Sequence, residues 1–230
     1  MHKIPSSIKT GLLICVLIVG LLLVFINPIQ SFFVARMSER LNTTEYTAED
    51  MDKNNAADAN FEFDAVQSLS IAEVLKAQAS IGSLPVIGSI VMPSVGMQLP
   101  IIKGVGNAAL AAGAGTMKPN QTLGEGNYAL AGHYFEEKDI LFGPLYHAEV
   151  GDAIYLTDKT KIYVYHLMSK DIIEATDVFV INDVPGQAIL TLITCAEEGH
   201  KRLSVQAEFV ESYPVSEAPE ELSKKVGKKN

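Results

Sequence analysis

The sequence predicts a mainly β domain, folded as an antiparallel barrel or sandwich and preceded by an apolar N-terminal segment. After Pro85, short apolar and β-branched runs alternate with Gly, Pro, Asn and Asp residues, a pattern typical of strands joined by turns. No long helical pattern separates these runs, which favours a barrel or sandwich. The candidate strands are 86–92, 97–102, 127–131, 153–157, 161–173, 188–195 and 202–210, with Asp158-Lys159-Thr160 as a tight turn between the fourth and fifth.

The N-terminal segment predicts a membrane anchor. The stretch from Thr10 to Ile26 carries no charge and is nearly all Leu, Ile and Val. As a helix it would be ~26 Å long, a little short of the ~30 Å hydrocarbon core, so apolar residues up to Val34 would complete the span. We therefore place an N-terminal transmembrane helix at 10–35. A cleaved signal peptide is the alternative, although the stretch is long for one and no small-x-small site follows it.

Charge does not orient this anchor. Lys3 and Lys9 precede it, and Arg36 and Arg40 follow it. The positive-inside count is therefore a tie.

The remaining segments divide the chain further. Residues 36–84 are expected to form a linker, polar and rich in Asn and Ala up to Asn60, followed by a short helix at 69–79. The β domain occupies 85–214. Residues 215–230 are acidic and then basic, which predicts a solvated tail.

Composition excludes several classes of function. The formal net charge of −9 disfavours nucleic acid as a partner. There is no C-x-x-C pair or phosphate-binding glycine loop, so no metal or nucleotide site is predicted. The two cysteines are too few for a disulfide scaffold, and Cys15 lies within the anchor, where Cys195 cannot easily reach it.

Cys195 is the most informative residue because Arg202 follows it at a short distance. If strands 188–195 and 202–210 are adjacent and antiparallel, the two side chains face each other across the loop at 196–201. A cation favours the nucleophilic thiolate, and a guanidinium can donate to the oxygen that gains charge in acyl transfer. A buried structural cysteine beside a surface arginine is the alternative interpretation.

A cysteine acyl-transfer enzyme also needs an acid/base, usually histidine. His133 ends a run of small residues at a strand end, where another chain can approach closely, and His200 lies beside Arg202 in the loop. His147 fits a surface loop and His166 a structural role within a strand. His2 lies before the anchor. The residues alone leave His133 and His200 as competing candidates.

Two short elements resemble the sortase family. They are Thr191-Leu192-Ile193-Thr194-Cys195, with Arg202 downstream, and Leu130-Ala131-Gly132-His133 upstream. The order His, Cys, Arg is that of the family, and the flanking 126–129 and 141–145 stretches are similar too. The resemblance covers roughly residues 85–212. The N-terminal anchor and the modest length resemble the class A, or housekeeping, group.

This resemblance implies a fold, a location and a reaction. The fold would be a closed eight-stranded β-barrel with short helices, outside a Gram-positive cytoplasmic membrane, with residues 1–9 inside the cell. The enzyme would be a transpeptidase that cleaves an LPxTG-like sorting signal between Thr and Gly. Cys195 would form the thioester, His133 would act as acid and base, and Arg202 would bind the oxyanion or the substrate. The acyl group would pass to the amine of a peptidoglycan precursor, lipid II in this family.

The resemblance also implies a groove for the Leu and Pro of the signal. Thr194 matches the residue before the nucleophile, and the other matching positions are Ala131, Ile193, Leu110 and Met117. Ordinary barrel core is the alternative for the last two. No cofactor is expected. Some class A members bind calcium near this strand, but Lys118 places a cation where a carboxylate would be expected.

Two other functions fit the residues less completely. One is a cysteine peptidase that releases the acyl group to water. The other is a non-catalytic, membrane-tethered binding barrel, in which replacing Cys195 would leave ligand binding intact.

Overall fold

Eight strands close into one barrel in the order β1-β2-β3-β4-β7-β8-β6-β5. The computed structural model describes residues 6–41, 46–62, 70–135 and 140–225. The strands are β1 Val86–Met92, β2 Met97–Ile102, β3 Ala114–Thr116, β4 Asn127–Ala131, β5 Ala153–Thr157, β6 Lys161–Glu174, β7 Ile189–Ala196 and β8 Lys201–Pro214. The predicted closed eight-stranded barrel is therefore confirmed.

The expectation of a wholly antiparallel sheet was wrong for two pairs of strands. β2 and β3 run parallel, and so do β4 and β7. A parallel pair needs a crossover connection. The first is the segment carrying helix α5, Asn107–Ala112, and the second contains β5 and β6. β3 was not predicted because it has only three residues, Ala-Gly-Thr, which carry no strand periodicity.

β7 is the strand that positions the site. It pairs with β4 on one side and β8 on the other. Leu190, Leu192 and Ala196 face the main hydrophobic core. Because strand side chains alternate, Ile193 and Cys195 face the opposite way, away from the barrel interior. The core residues thereby fix which face of the strand carries the thiol.

The N-terminal part forms helices α1, Ser6–Val24, and α2, Ile26–Arg40. Within the described part of the chain, neither helix alone is long and apolar enough to cross a membrane. Together the two could do so by length and composition, as a pair bent by 59°. The transmembrane helix expected at 10–35 is therefore not confirmed. The C-terminal half of α2 packs against the main hydrophobic core, where Val34 and Met37 are fully buried.

The segment expected to be a linker contains ordered helices. Helix α3, Ala48–Asn55, begins at a capping box between Thr47 and Asp50. Its Met51 is buried, and Asn54 Nδ2 donates to the Val86 carbonyl oxygen at 2.8 Å. A single buried methionine in a polar run gives no periodic signal, which explains the missed helix. Residues 42–45 and 63–69 lie outside the described part of the chain.

Two further helices flank the barrel. The short helix predicted at 69–79 is found as α4, Ile71–Ser80, capped by Ser70; Leu69 lies outside the described residues. Helix α6, Glu220–Lys225, follows β8 in the segment predicted to be a solvated tail. Its Leu222 is buried beside Val91 and Val215, so this part of the tail is held against the barrel. Residues 226–230 are not among those described.

Candidate active site

A groove of about 390 Å³ lies on the outer side of the barrel, where β4 and β7 end and β8 begins. This volume is in the range of small-ligand sites. The structure brings all eight residues predicted from the sequence to this one groove: Leu110, Met117, Ala131, His133, Ile193, Thr194, Cys195 and Arg202.

Cys195 and Arg202 are directly opposite each other in the β7–β8 ladder. Phe209 N donates to the Ala188 carbonyl oxygen at 2.9 Å, which makes that pair a hydrogen-bonded one. Because hydrogen-bonded and non-hydrogen-bonded pairs alternate, Cys195 and Arg202 form a non-hydrogen-bonded pair, the kind whose side chains lie closer together. The thiol and the guanidinium are therefore neighbours on one face.

His133 reaches the same level from the other side of β7. In the parallel β4–β7 ladder, Ala131 is opposite Ile193. Gly132 N donates to the Ile193 carbonyl oxygen at 3.1 Å, and Thr194 Oγ1 donates to the Gly132 carbonyl oxygen at 2.7 Å. His133 lies two residues after Ala131, and Cys195 lies two residues after Ile193. The register thus places the imidazole beside the thiol.

A glycine is required immediately before this histidine. A Cβ on Gly132 would lie 2.6 Å from Cγ of Phe142, a ring that is fully buried. Phe142 N also donates to the His133 carbonyl oxygen at 3.1 Å. The Phe142 ring therefore packs directly on the backbone that carries the imidazole.

Burial governs the protonation of His133. The side chain is only 8% exposed, and among the described residues its Nε2 atom has no hydrogen-bond partner. Burial in the protein disfavours the charged form and lowers the pKa of His133 to about 4. The imidazole is therefore neutral at neutral pH and can accept a proton.

The other described histidines do not line the groove. His200 is exposed in the turn after β7 and does not line the groove. His147 is exposed, and His166 is exposed on β6 opposite Ala153. His2 is outside the described residues. Of the two histidines that the residues left in competition, the structure brings His133 and not His200 to the groove.

Arg202 and Lys201 have different surroundings. Arg202 NH1 donates to the carbonyl oxygens of Gly199, at 2.7 Å, and Lys201, at 2.9 Å, which holds the guanidinium at the groove. Lys201 Nζ lies 3.4 Å from a Glu197 carboxylate oxygen and 3.9 Å from one of Glu174. The lysine is thus engaged in ion pairs and, unlike Arg202, does not line the groove.

One groove wall was not predicted from the sequence. It begins at the end of β6 and continues into the segment between β6 and β7, and its apolar lining residues are Ile173, Val178, Val180 and Ile181. Val178 is 70% exposed, so the wall presents apolar surface to solvent beside the thiol. Such a short segment carries no periodicity, so no pattern in the sequence could predict this wall.

Polar contacts fix this wall to the barrel. Lys118 Nζ donates to Asp183 Oδ1 at 2.6 Å, and Asn127 N donates to the same oxygen at 2.9 Å. The bond from Lys118 is the main reason that the pKa of Asp183 lies below its usual range. Asn127 Nδ2 also donates to the Val180 carbonyl oxygen at 2.9 Å. In the described part of the chain, no group of three or more His, Cys, Asp or Glu residues could hold a metal ion.

Tyr146 lies behind the thiol and was not predicted from the sequence either. Its hydroxyl donates to the Cys195 carbonyl oxygen at 3.0 Å. Its ring lies 4.6 Å from the ring of Tyr134, the residue after His133. The tyrosine therefore contacts the chain segments that carry the thiol and the imidazole.

Comparison with known proteins identifies the family. The family model described as "Sortase domain" matches residues 90–210. Sortase A of Streptococcus agalactiae is 39% identical over 235 residues, covering 100% of this chain and 95% of the relative. Sortase A of Listeria monocytogenes is 42% identical over 188 residues, covering 82% of this chain and 84% of the relative.

Solved structures give the same result for the fold. The crystal structure of Listeria monocytogenes sortase A has a TM-score of 0.57 at 39% identity and covers 63% of this chain and 99% of its own. Sortase E from Streptomyces avermitilis has a TM-score of 0.52 at 31% identity, with 60% of this chain and 96% of that chain covered. The likeness thus extends over nearly the whole of each solved domain.

Proposed function

This chain belongs to the sortase family of cysteine transpeptidases, which attach proteins to the cell wall, and we propose that Cys195, His133 and Arg202 carry out that reaction here. Its partners are proteins with LPxTG-type signals and cell-wall precursors. The observation that carries the assignment of residues is the register of β7, which brings His133, two residues beyond β4, and Arg202 of β8 to the level of Cys195.

The first half-reaction forms a thioester. Cys195 Sγ attacks the carbonyl carbon of the signal's threonine, and its proton passes to Nε2 or Nδ1 of His133. The bond between threonine and glycine breaks, and the His133 imidazolium gives the proton to the departing glycine amine. Arg202 donates hydrogen bonds to the oxyanion that forms in between. The low pKa of His133, about 4, makes the imidazolium a minority species in the free enzyme, so the proton arrives from the thiol.

The second half-reaction transfers the acyl group. An amine of the cell-wall precursor, which we propose is lipid II, attacks the thioester carbon. Neutral His133 accepts the proton that the amine loses, the carbon–sulfur bond breaks, and His133 returns the proton to Cys195. Two steps of moderate barrier replace one direct exchange of amides.

The groove suits the apolar part of such a signal. We propose that Leu110, Met117, Ala131 and Ile193 receive the leucine and proline side chains, because they line the cavity beside the thiol. Thr194 fixes the backbone of Gly132, since its hydroxyl is buried against the Gly132 carbonyl oxygen. It positions His133 and also lines the base of the groove.

We also propose that the N-terminal helices tether the enzyme to the membrane. Residues of α1 such as Leu13 and Leu17 are at least 65% exposed, which is costly in water for side chains of this type. With residues 1–9 in the cytoplasm, the barrel would lie outside the cell, beside its substrates. Protease treatment of intact cells tests this orientation: the barrel should be digested and a tag before residue 1 should not.

A trapping experiment tests the proposed chemistry. The full chain in detergent micelles is incubated with a fluorescent LPxTG peptide and examined by mass spectrometry for an acyl adduct on Cys195. Cys195→Ala and His133→Ala should abolish the adduct or its turnover, and His200→Ala should retain both. If His200→Ala stops turnover and His133→Ala does not, the acid/base assignment is wrong.

The same reaction distinguishes the competing functions. With added triglycine, a transpeptidase gives the exchanged peptide, whereas a peptidase gives the free acid. A non-catalytic binding barrel would bind the peptide equally well with Cys195→Ala and give neither product.

A further inference from the structure

Tyr146 lies outside the groove, behind the nucleophile, and we propose that it is a positioning residue for the transfer reaction. Its hydroxyl holds the backbone carbonyl of Cys195 at the point where β7 loses its neighbouring strand. The proposal rests on the role of Cys195 as the nucleophile. Tyr146 does not line the groove, so it acts through Cys195 and does not touch the substrate.

The strand register explains why this carbonyl needs a partner. The Ile193 carbonyl oxygen points toward β4 and accepts from Gly132 N. Cys195 is two residues further along β7, so its carbonyl points the same way. By that level β4 has ended at Ala131, and its chain has turned toward Phe142. The Tyr146 hydroxyl takes the place that the next strand residue would have filled.

Tyr146 is itself held on the barrel. Lys170 Nζ, from β6, donates to the carbonyl oxygens of Tyr146, at 3.1 Å, and Ala148, at 2.6 Å. The aromatic contact with Tyr134, at a ring distance of 4.6 Å, fixes the orientation of the phenol. Because the Tyr146 hydroxyl is itself fixed, its hydrogen bond can hold the Cys195 carbonyl oxygen in place.

The chain turns sharply just beyond Cys195. Ala196 is the last residue of β7, and Glu197 follows with a φ of 47°. This left-handed conformation is uncommon for a residue other than glycine. The Tyr146 hydroxyl is therefore placed to fix the end of β7, and with it the position of the thiol relative to His133 and Arg202.

The expected effect of removing the hydroxyl follows from this geometry. Tyr146→Phe leaves the groove walls intact, so KM for an LPxTG peptide should change less than about twofold. A small misplacement of a reacting atom is costly, so kcat should fall about tenfold. The alkylation rate of Cys195 by iodoacetamide should stay within about twofold, because a small reagent needs an accessible thiol and no alignment with His133.

The full chain in detergent micelles is used, with Tyr213→Phe as the matched control. Tyr213 lies near the far end of β8, opposite Ile162, and its variant should match the wild type. A second variant, Lys170→Met, releases the segment that carries Tyr146. Lys170→Met should also lower kcat. The double variant with Tyr146→Phe should have a kcat only slightly lower than that of Tyr146→Phe alone.

Three results would overturn the proposal. The first is an unchanged kcat in Tyr146→Phe. The second is a fall in kcat together with a lower Tm and faster alkylation, which would mean that Tyr146 only keeps the strand end folded. The third is additive losses in the double variant, which would separate Lys170 from Tyr146. Cys195→Ala is measured in parallel. Activity in that variant would refute Cys195 as the nucleophile, and with it the basis of the proposal for Tyr146.

Discussion

Burial of His133 should make the barrel less stable as the pH falls, and the substitution His133→Gln should remove this part of the pH dependence. The pKa of His133 is lowered from 6.5 to about 4. As the pH falls through this window, the unfolded chain takes up a proton that the folded protein does not. Stability attributable to this histidine is therefore fully present above about pH 6.5 and is lost as the pH falls toward 4.

The magnitude follows from the size of the shift. Each unit of pKa corresponds to about 1.4 kcal/mol, so the full effect is roughly 3 kcal/mol. Between about pH 7.5 and about pH 4.5, linkage predicts a loss of roughly 2.5 kcal/mol from this group alone. His133→Gln keeps a similar volume without a titrating ring, so it should lack this part of the pH dependence.

Urea unfolding measures the difference directly. The chain has no tryptophan, and the buried ring of Tyr165 provides a fluorescence signal for the barrel. Carboxylates that titrate in the same range affect the wild type and His133→Gln alike and cancel in the comparison. The burial argument fails if the two proteins lose the same stability on acidification, or if NMR shows the His133 ring titrating near pH 6.5.

Three further predictions concern the rest of the site. Arg202→Ala should lower kcat about 10²- to 10³-fold, the usual loss for one oxyanion donor, whereas Lys201→Ala should retain most activity; equal losses in steady-state assays would contradict the assignment. Gly132→Ala should cost about 1–3 kcal/mol, because its Cβ would lie 2.6 Å from the ring of Phe142; an unchanged Tm would refute this. Chelation of calcium should leave initial rates unchanged, because Lys118 already holds Asp183; severalfold activation by added calcium would disprove it.

The sequence predicts the strands better than it predicts their order around the barrel. Seven of the eight strands of the barrel were identified from apolar runs and turn residues, and the Asp158 turn joins β5 and β6 as expected. Periodicity carries no information about direction, so the parallel pairing of β4 with β7 could not be read from it. That pairing is the feature that brings His133 to Cys195.

The sequence also predicts residues with specific chemistry better than it predicts their support. Cys195, Arg202 and the two competing histidines could be singled out because thiols, guanidinium groups and imidazoles are few in this chain. Tyr146 has no motif, and its role depends on a contact between residues 49 positions apart. The apolar wall at Val178 and Val180 is ordinary in composition, so only the fold places it in the groove.

The position of β7 explains how His133 and Arg202 both reach the thiol of Cys195. β7 has the parallel strand β4 on one side and the antiparallel strand β8 on the other. Each residue of β7 therefore lies beside residues from two separate parts of the chain. A slip of one residue in the register would turn Cys195 into the core and Thr194 out of it. The buried Leu190 and Leu192 oppose such a slip, because it would expose both of them. The hydrophobic core therefore sets the register on which the chemistry of the groove depends, and core substitutions that leave the groove untouched are expected to alter the reactivity of the thiol.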